Sequence, residues 1–190
     1  MNAPVPFDPA LRRRNRILLV LLILCFVLPL LAAVALQQSG WRPEHTRNRG
    51  TLLQPPVALA DLPLRHADGR EYRYAPQEQR WQIVVVPPAD CGQACVDLLA
   101  GLHKVWQLQG RRADRLQVLW FGPLPPSAES FRALIPMHPE PQLEALLPQL
   151  ARSGAPSVYL VDPRAFLVMR YAPGVDPGDV RADITQLLKS

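Results

Sequence analysis

The chain has 190 residues, 48% of them hydrophobic and 19% charged, a balance that excludes a wholly disordered protein. Its 22 prolines are more than twice the usual share of about 5%, which excludes a mostly helical bundle and calls for short elements and many turns. A net charge of +5 would suit a nucleic-acid binder, and three cysteines are too few for a disulfide scaffold; both figures have to be divided along the chain.

Residues 1–16 read as a cytoplasmic segment and residues 17–36 (ILLVLLILCFVLPLLAAVAL) as a transmembrane helix. A run of 20 uncharged residues, rising about 1.5 Å each, spans the roughly 30 Å hydrocarbon core. Pro29 is tolerated in a spanning helix. Arg12, Arg13, Arg14 and Arg16 stand immediately before the run, so the positive-inside bias keeps the N-terminus cytoplasmic and exports the chain beyond the helix. Ala33-Val34-Ala35 offers an A-x-A cleavage site, but the apolar run exceeds the ~7–15 residues of a signal-peptide core, so an uncleaved anchor is expected. Cys25 is expected to be a small apolar packing residue of that helix.

Residues 1–40 hold four Arg and one Asp, a net of +3, whereas the other 150 residues carry 17 basic and 15 acidic groups, a net of +2. The basic balance is therefore an orientation signal. With no aromatic-interleaved basic stripe in the chain, nucleic acid is excluded as a partner.

Residues 37–56 read as a polar, irregular tether and residues 57–190 as one domain. Within 57–74, Asp68-Gly69 is the turn dipeptide expected between two short strands. Residues 81–86 (WQIVVV) form a continuous β-branched run closed by Pro87-Pro88, as in a strand buried on both faces. Apolar residues from 95 to 109 follow helical spacing, with Gly110 as C-cap. Residues 116–121 (LQVLWF) give a second buried strand. Ser127 is expected to cap a short helix running to Leu134, and residues 141–150 give another helical pattern. Residues 157–161 and 165–171 are strands joined by the Asp162-Pro163-Arg164 turn. Asp176 or Asp179 begins a final amphipathic helix reaching Lys189. The order predicts an α/β domain whose first two central strands are parallel and whose last pair is antiparallel.

The chemistry concentrates at Cys91 and Cys95, in PPADCGQAC. They follow a buried strand and open a helix, where unpaired N–H groups and the positive dipole end stabilise a thiolate. Cys91 falls in the loop and Cys95 in the first turn, close enough to bridge or to hold one metal ion between two sulfurs. A structural disulfide is the alternative, but it closes too small a loop to add much stability to a domain of this size. Asp90 opposes thiolate formation if its carboxylate turns toward the sulfur. Further on, Gly154-Ala155-Pro156-Ser157 runs straight into a strand, where a cis bond before Pro156 would set its backbone against the thiols.

From about residue 57 to 189 the chain resembles a membrane-anchored, thioredoxin-like domain, in the style of the Sco-type proteins that deliver copper to cytochrome c oxidase. The features that carry the resemblance are the Asp68-Gly69 turn, the strand–CxxxC–helix unit at Cys91/Cys95, the hairpin from Tyr159 to Tyr171 and the terminal helix. The resemblance implies a thioredoxin-like mixed sheet flanked by helices. It also implies work on the thiols or metal site of an oxidase subunit or its assembly factors, from the periplasmic side of a bacterial inner membrane. One departure matters. Sco-type proteins carry a copper-binding His just before the strand that corresponds to residues 157–161, where this chain has Ser153, Gly154, Ala155 and Pro156. A Pro at that point is what thioredoxin-class oxidoreductases carry.

Three functions remain open at this stage. The first is thiol–disulfide exchange with Cys91 attacking, Cys95 resolving and Pro156 shaping the substrate groove. The second is a Cu(I) chaperone using Cys91, Cys95 and His138 or Met137, soft ligands for a soft ion. The third is a non-catalytic interaction module whose Pro-rich segment 122–141 docks a partner. Of the other histidines, His45 lies in the tether, His66 beside a turn, and His103 eight residues beyond Cys95, ~12 Å along the same helix. Trp81, Trp106 and Trp120 read as core residues.

Overall fold

The computed structural model describes residues 9–39, 48–148 and 154–189, and the chain divides into two units, Met1–Thr46 and Arg47–Ser190. His45, Ser153 and residues 40–47 of the expected tether lie outside the described residues.

In the first unit, α1 (Pro9–Gln38) is one helix with Pro29 inside it. Its stretch Arg13–Leu36, 24 residues, is long and apolar enough to cross a membrane. Apolar side chains are exposed along it, among them Leu22, Phe26 and Leu30, and Cys25 is exposed as well. A helix apolar all round has no aqueous face to offer.

The second unit is built on a six-stranded mixed sheet in the order β1-β6-β5-β2-β3-β4. β2 (Trp81–Val86) and β3 (Leu116–Phe121) are parallel, joined across α2 (Gln93–Gln107). β5 (Ser157–Val161) runs antiparallel on the other side of β2, and β6 (Phe166–Arg170) returns beside it. The β-branched runs occupy the centre because both faces there are covered. Ile83, Val85, Val118, Trp120, Val158 and Leu160 pack with α2 and with α4 (Pro177–Leu187). Val84, Val86, Leu119, Phe121, Tyr159 and Val161 point the other way, into a second cluster that holds Leu59, Leu64 and Met137. Alternation of successive side chains across the sheet produces this division.

Three expectations are corrected. The last residues of the expected tether are a strand, β1 (Thr51–Ala58), paired antiparallel with β6 across a break in register between Leu52 and Val57. The Asp68-Gly69 turn forms, with Gly69 at φ 87°, but the two strands expected around it shrink to a single bridge, Arg65–Glu71. The helix expected from Ser127 is absent, and its end becomes β4 (Leu134–Met137), parallel to β3. The free edge of β3 offers those backbone groups a ladder, and pairing outweighs a weak local capping signal.

Other elements follow the pattern closely. One departure is the end of α2: its C-cap is Leu108 and not the expected Gly110, which, at φ 56°, opens a 3-10 helix over Gly110–Arg115. α3 (Pro141–Leu146) is capped by the Glu140 carboxylate, which accepts from the Gln142 N–H at 3.1 Å. The Asp176 carboxylate caps α4, accepting from the Gly178 N–H at 2.7 Å. Trp120 is fully buried and donates its indole N–H to the Pro123 carbonyl at 3.1 Å, whereas Trp81 and Trp106 pack at the rim of the core.

Candidate functional site

Cys91 and Cys95 are joined in a disulfide, with their Cα atoms 5.6 Å apart. β2 delivers the chain to this point, and the loop after it turns on the Cys91 N–H donating to the Pro88 carbonyl at 3.2 Å. Gly92 is the N-cap of α2, so no side chain satisfies the first N–H groups of the helix, and its first turn has no acidic residue. Cys95 is the third residue of the helix and is 1% exposed in the core under α2. Cys91 is half-buried, packed against the edge of the same cluster. The two sulfurs are thus unequal, one enclosed and one within reach of solvent, both beside a positive helix end.

Asp90 turns toward the opposite loop, where its Oδ1 accepts from the Gly154 N–H at 3.2 Å. This contact ties the loop carrying Cys91 to the loop carrying Pro156. The Ala155–Pro156 bond is trans, which corrects the cis bond expected from the sequence; the cis bond among the described residues is Gln54–Pro55. Trans is the default for X–Pro, and Gly154, at φ 83°, makes the reversal that leads into β5. Pro156 nonetheless follows closely on Gly154, in the loop tied to Asp90. With Ala94 and Leu98 of α2, Val158 of β5, and Val175 and Pro177 ahead of and within α4, it lines a groove of about 230 Å³. Ala94, one of the lining residues, stands between the two cysteines in sequence, and neither cysteine itself lines the groove.

The structure does not bring the other candidate ligands to the cysteines. Met137 is fully buried in the cluster on the face of the sheet opposite Cys95. His138 is exposed just past the edge strand β4; its N–H donates to the Arg65 carbonyl at 2.8 Å and its Nδ1 lies 3.0 Å from the Pro139 carbonyl oxygen. His103 stacks on Phe131, with ring centroids 4.6 Å apart, and faces Glu129 at 3.6 Å. His66 is half-buried and packs edge-on against Tyr72. Among the described residues no three His, Cys, Asp or Glu side chains gather as a metal-holding group. The donors at Cys91/Cys95 therefore stop at two sulfurs, here bonded to one another, and do not fit a copper site with a third protein ligand.

The Pro-rich segment 122–141 forms part of a wider cleft of about 570 Å³, lined by Pro87, Pro88, Pro123, Pro139 and Pro141 among others.

Residues 81–190 match the family model described as the transmembrane-like, thioredoxin-like C-terminal domain. The chain belongs to this family. No curated protein matches the sequence. Solved structures share the fold at low identity. Apo Sco1 from Thermus thermophilus is 18% identical, with a TM-score of 0.52 over 77% of this chain and 99% of that one. Yeast Sco1 is 17% identical, with a TM-score of 0.50 over 66% and 90%. Trgpx in its apo form is 16% identical, with a TM-score of 0.52 over 70% and 97%. The expected thioredoxin-like mixed sheet is the observed one, and the Cys pair sits at the head of its first flanking helix.

One polar feature has no counterpart among the expectations drawn from the sequence. Asp183, 2% exposed within α4, accepts from the Arg49 N–H at 2.9 Å, the Gly50 N–H at 2.9 Å and the Tyr171 hydroxyl at 3.1 Å. Burial, and then the neighbouring Asp183 carboxylate, push the Tyr171 phenol above its ordinary pKa. The chain does carry a signal for it: Val180, Asp183, Ile184 and Leu187 share helical spacing, so an acid stands in an apolar stripe.

Proposed function

We propose that this protein is a membrane-anchored thiol–disulfide exchange protein acting through Cys91 and Cys95, with α1 as its anchor and the thioredoxin-like domain on the periplasmic side of a bacterial inner membrane. The observation that carries it is the Cys91–Cys95 disulfide at the uncapped head of α2, with one sulfur enclosed and the other accessible beside a groove. The four arginines ahead of the apolar run support the orientation.

A client thiolate attacks the Sγ of Cys91, forming a client–Cys91 disulfide. The Cys91–Cys95 bond breaks, and its electron pair leaves on Cys95 as a thiolate, which the helix end stabilises until solvent protonates it. A second client thiolate then attacks the client sulfur of the mixed disulfide and releases Cys91. The client leaves oxidised and the Cys pair reduced; the reverse sequence, with Cys91 attacking, reduces a client disulfide. Pro156 forms the wall against which the client chain lies. The clients are a subunit of cytochrome c oxidase or its assembly factors, a placement that rests on the Sco-type resemblance.

The test is a Cys95→Ser variant of the full-length protein in cells. It is expected to accumulate a mixed disulfide on Cys91 that a reductant releases, whereas Cys91→Ser accumulates none. Oxidase activity is expected to fall in the Cys91→Ser strain. Unchanged oxidase in that strain, with no trapped adduct in Cys95→Ser, would overturn the reading.

A further inference from the structure

The groove beside the disulfide has a chemical character that narrows the client. Its lining residues Ala94, Leu98, Pro156, Val158, Val175 and Pro177 are apolar, and the space of about 230 Å³ is enough for one aliphatic or aromatic side chain. Its polar lining is acidic. Asp97 is exposed on the groove wall, and its Oδ1 accepts only from the neutral Gln93 amide, at 2.9 Å. Asp176 stands between Val175 and Pro177, two lining residues, and its carboxylate is engaged by the Gly178 N–H. Asp90 holds the Gly154 N–H beside the lining residue Ala155. Each of these partners is a neutral donor, so none of them offsets the charge of its carboxylate. Among the described residues none of the three carries an ion pair, and the groove is lined by no Lys or Arg.

We infer that the groove takes an extended client segment with an apolar side chain next to its reactive cysteine and a cationic residue close by. This rests on the exchange reading of Cys91/Cys95. The apolar side chain fills the space beside Pro156 and Leu98, and the cation lies against Asp97, the one carboxylate among the lining residues. An acidic segment meets the same carboxylates as like charges and is held off, so the rim selects by repulsion as well as attraction.

The test uses full-length oxidised protein in detergent and three short peptides, each with one cysteine. The first carries Leu next to the cysteine and Arg two positions on, the second replaces Arg with Glu, and the third replaces Leu with Ser. Rates of mixed-disulfide formation on Cys91 are read by mass spectrometry, with 2-mercaptoethanol as a reference thiol that makes no groove contacts. The Arg peptide is expected to react about five-fold faster than the Glu peptide at low ionic strength, the ratio falling toward one in high salt. The Ser peptide is expected to be slower than its Leu parent. Asp97→Asn narrows the Arg/Glu ratio and Asp97→Lys inverts it. Equal rates for the Arg and Glu peptides, while 2-mercaptoethanol opens the disulfide, overturn the groove inference and leave the exchange reading standing. If no thiol opens the disulfide, the exchange reading itself fails.

Discussion

Replacing Asp183 with Ala removes an acceptor that three donors share. The Gly50 N–H and the Tyr171 hydroxyl are buried, and the Arg49 N–H is partly so. A buried donor left without a partner costs about 1–3 kcal/mol, so the loss of two buried and one half-buried bonds is expected to cost about 3–5 kcal/mol. For a domain of this size that is a fall in Tm of roughly 10–15 °C. Asp183→Asn keeps one acceptor oxygen but turns an NH2 toward a donor, and about half the loss is expected. The carboxylate joins the start of the domain at Arg49 and Gly50 to α4 and to the end of β6, so the effect reaches the site, because Pro177 of α4 lines the groove. Denaturant unfolding followed by tryptophan fluorescence measures it, with a Tyr171→Phe background as the control. In that background the Asp183→Ala loss is expected to shrink by about 1 kcal/mol, since one of the stranded donors is already gone. A loss below about 1 kcal/mol for Asp183→Ala, or strict additivity with Tyr171→Phe, would refute the reasoning.

Gly101→Ala sets helix propensity against packing: Ala is favoured in a helix by about 0.5–1 kcal/mol, but a Cβ at position 101 would overlap the Pro177 ring where α2 meets α4. Overpacking of about 1–3 kcal/mol wins, so the variant unfolds at lower denaturant and its groove reacts more slowly with peptide thiols. Asp176→Ala removes the α4 cap and is expected to cost about 1 kcal/mol, read in the same unfolding assay. Burial pushes the Tyr72 phenol up to about 12, and the Tyr171 phenol is raised as well. The folded state therefore keeps protons that the unfolded chain gives up from about pH 10, and each such tyrosine removes about 1.4 kcal/mol of stability per pH unit above it. For Tyr72 that loss runs until about 12. Stability flat with pH across that window, with phenolate absorbance rising at the pH of free tyrosine, would show that these rings are not held as described.

The central strands were legible because they are buried on both faces, so their sequences are continuous apolar runs that no amphipathic helix would carry. β2, β3 and β5 lie where the pattern places them. The edges were not legible for the opposite reason. Thr51–Ala58 is mostly exposed and holds Pro55 and Pro56, and it becomes a strand only through β6, more than a hundred residues away. Residues 127–134 carry a serine in a plausible cap position, yet the end of that stretch at Leu134 joins the open edge of β3. At the site, the strand–CxxxC–helix spacing was enough to place both sulfurs at one helix head. The path of the loops was not contained in it. That Asp90 turns to Gly154, and that Met137 lies on the far face of the sheet, are consequences of tertiary packing.

Under the proposed exchange, the inequality of the two cysteines sets which sulfur would keep the client. Attack on a disulfide proceeds in line with the bond, so the sulfur struck must be open to solvent and the leaving sulfur must carry the negative charge well. Cys95 is enclosed under α2 and sits at the third helical position, where free N–H groups and the dipole stabilise a departing thiolate. Cys91 is the accessible partner, and its loop is tied through Asp90 to the loop of Pro156. Attack at Cys91 would therefore leave the client on the accessible loop and send the charge to the helix end. Attack at Cys95 would need the core under α2 to open and would leave the thiolate in a loop, directly after a carboxylate. The two routes differ in both access and electrostatics, and both differences favour Cys91.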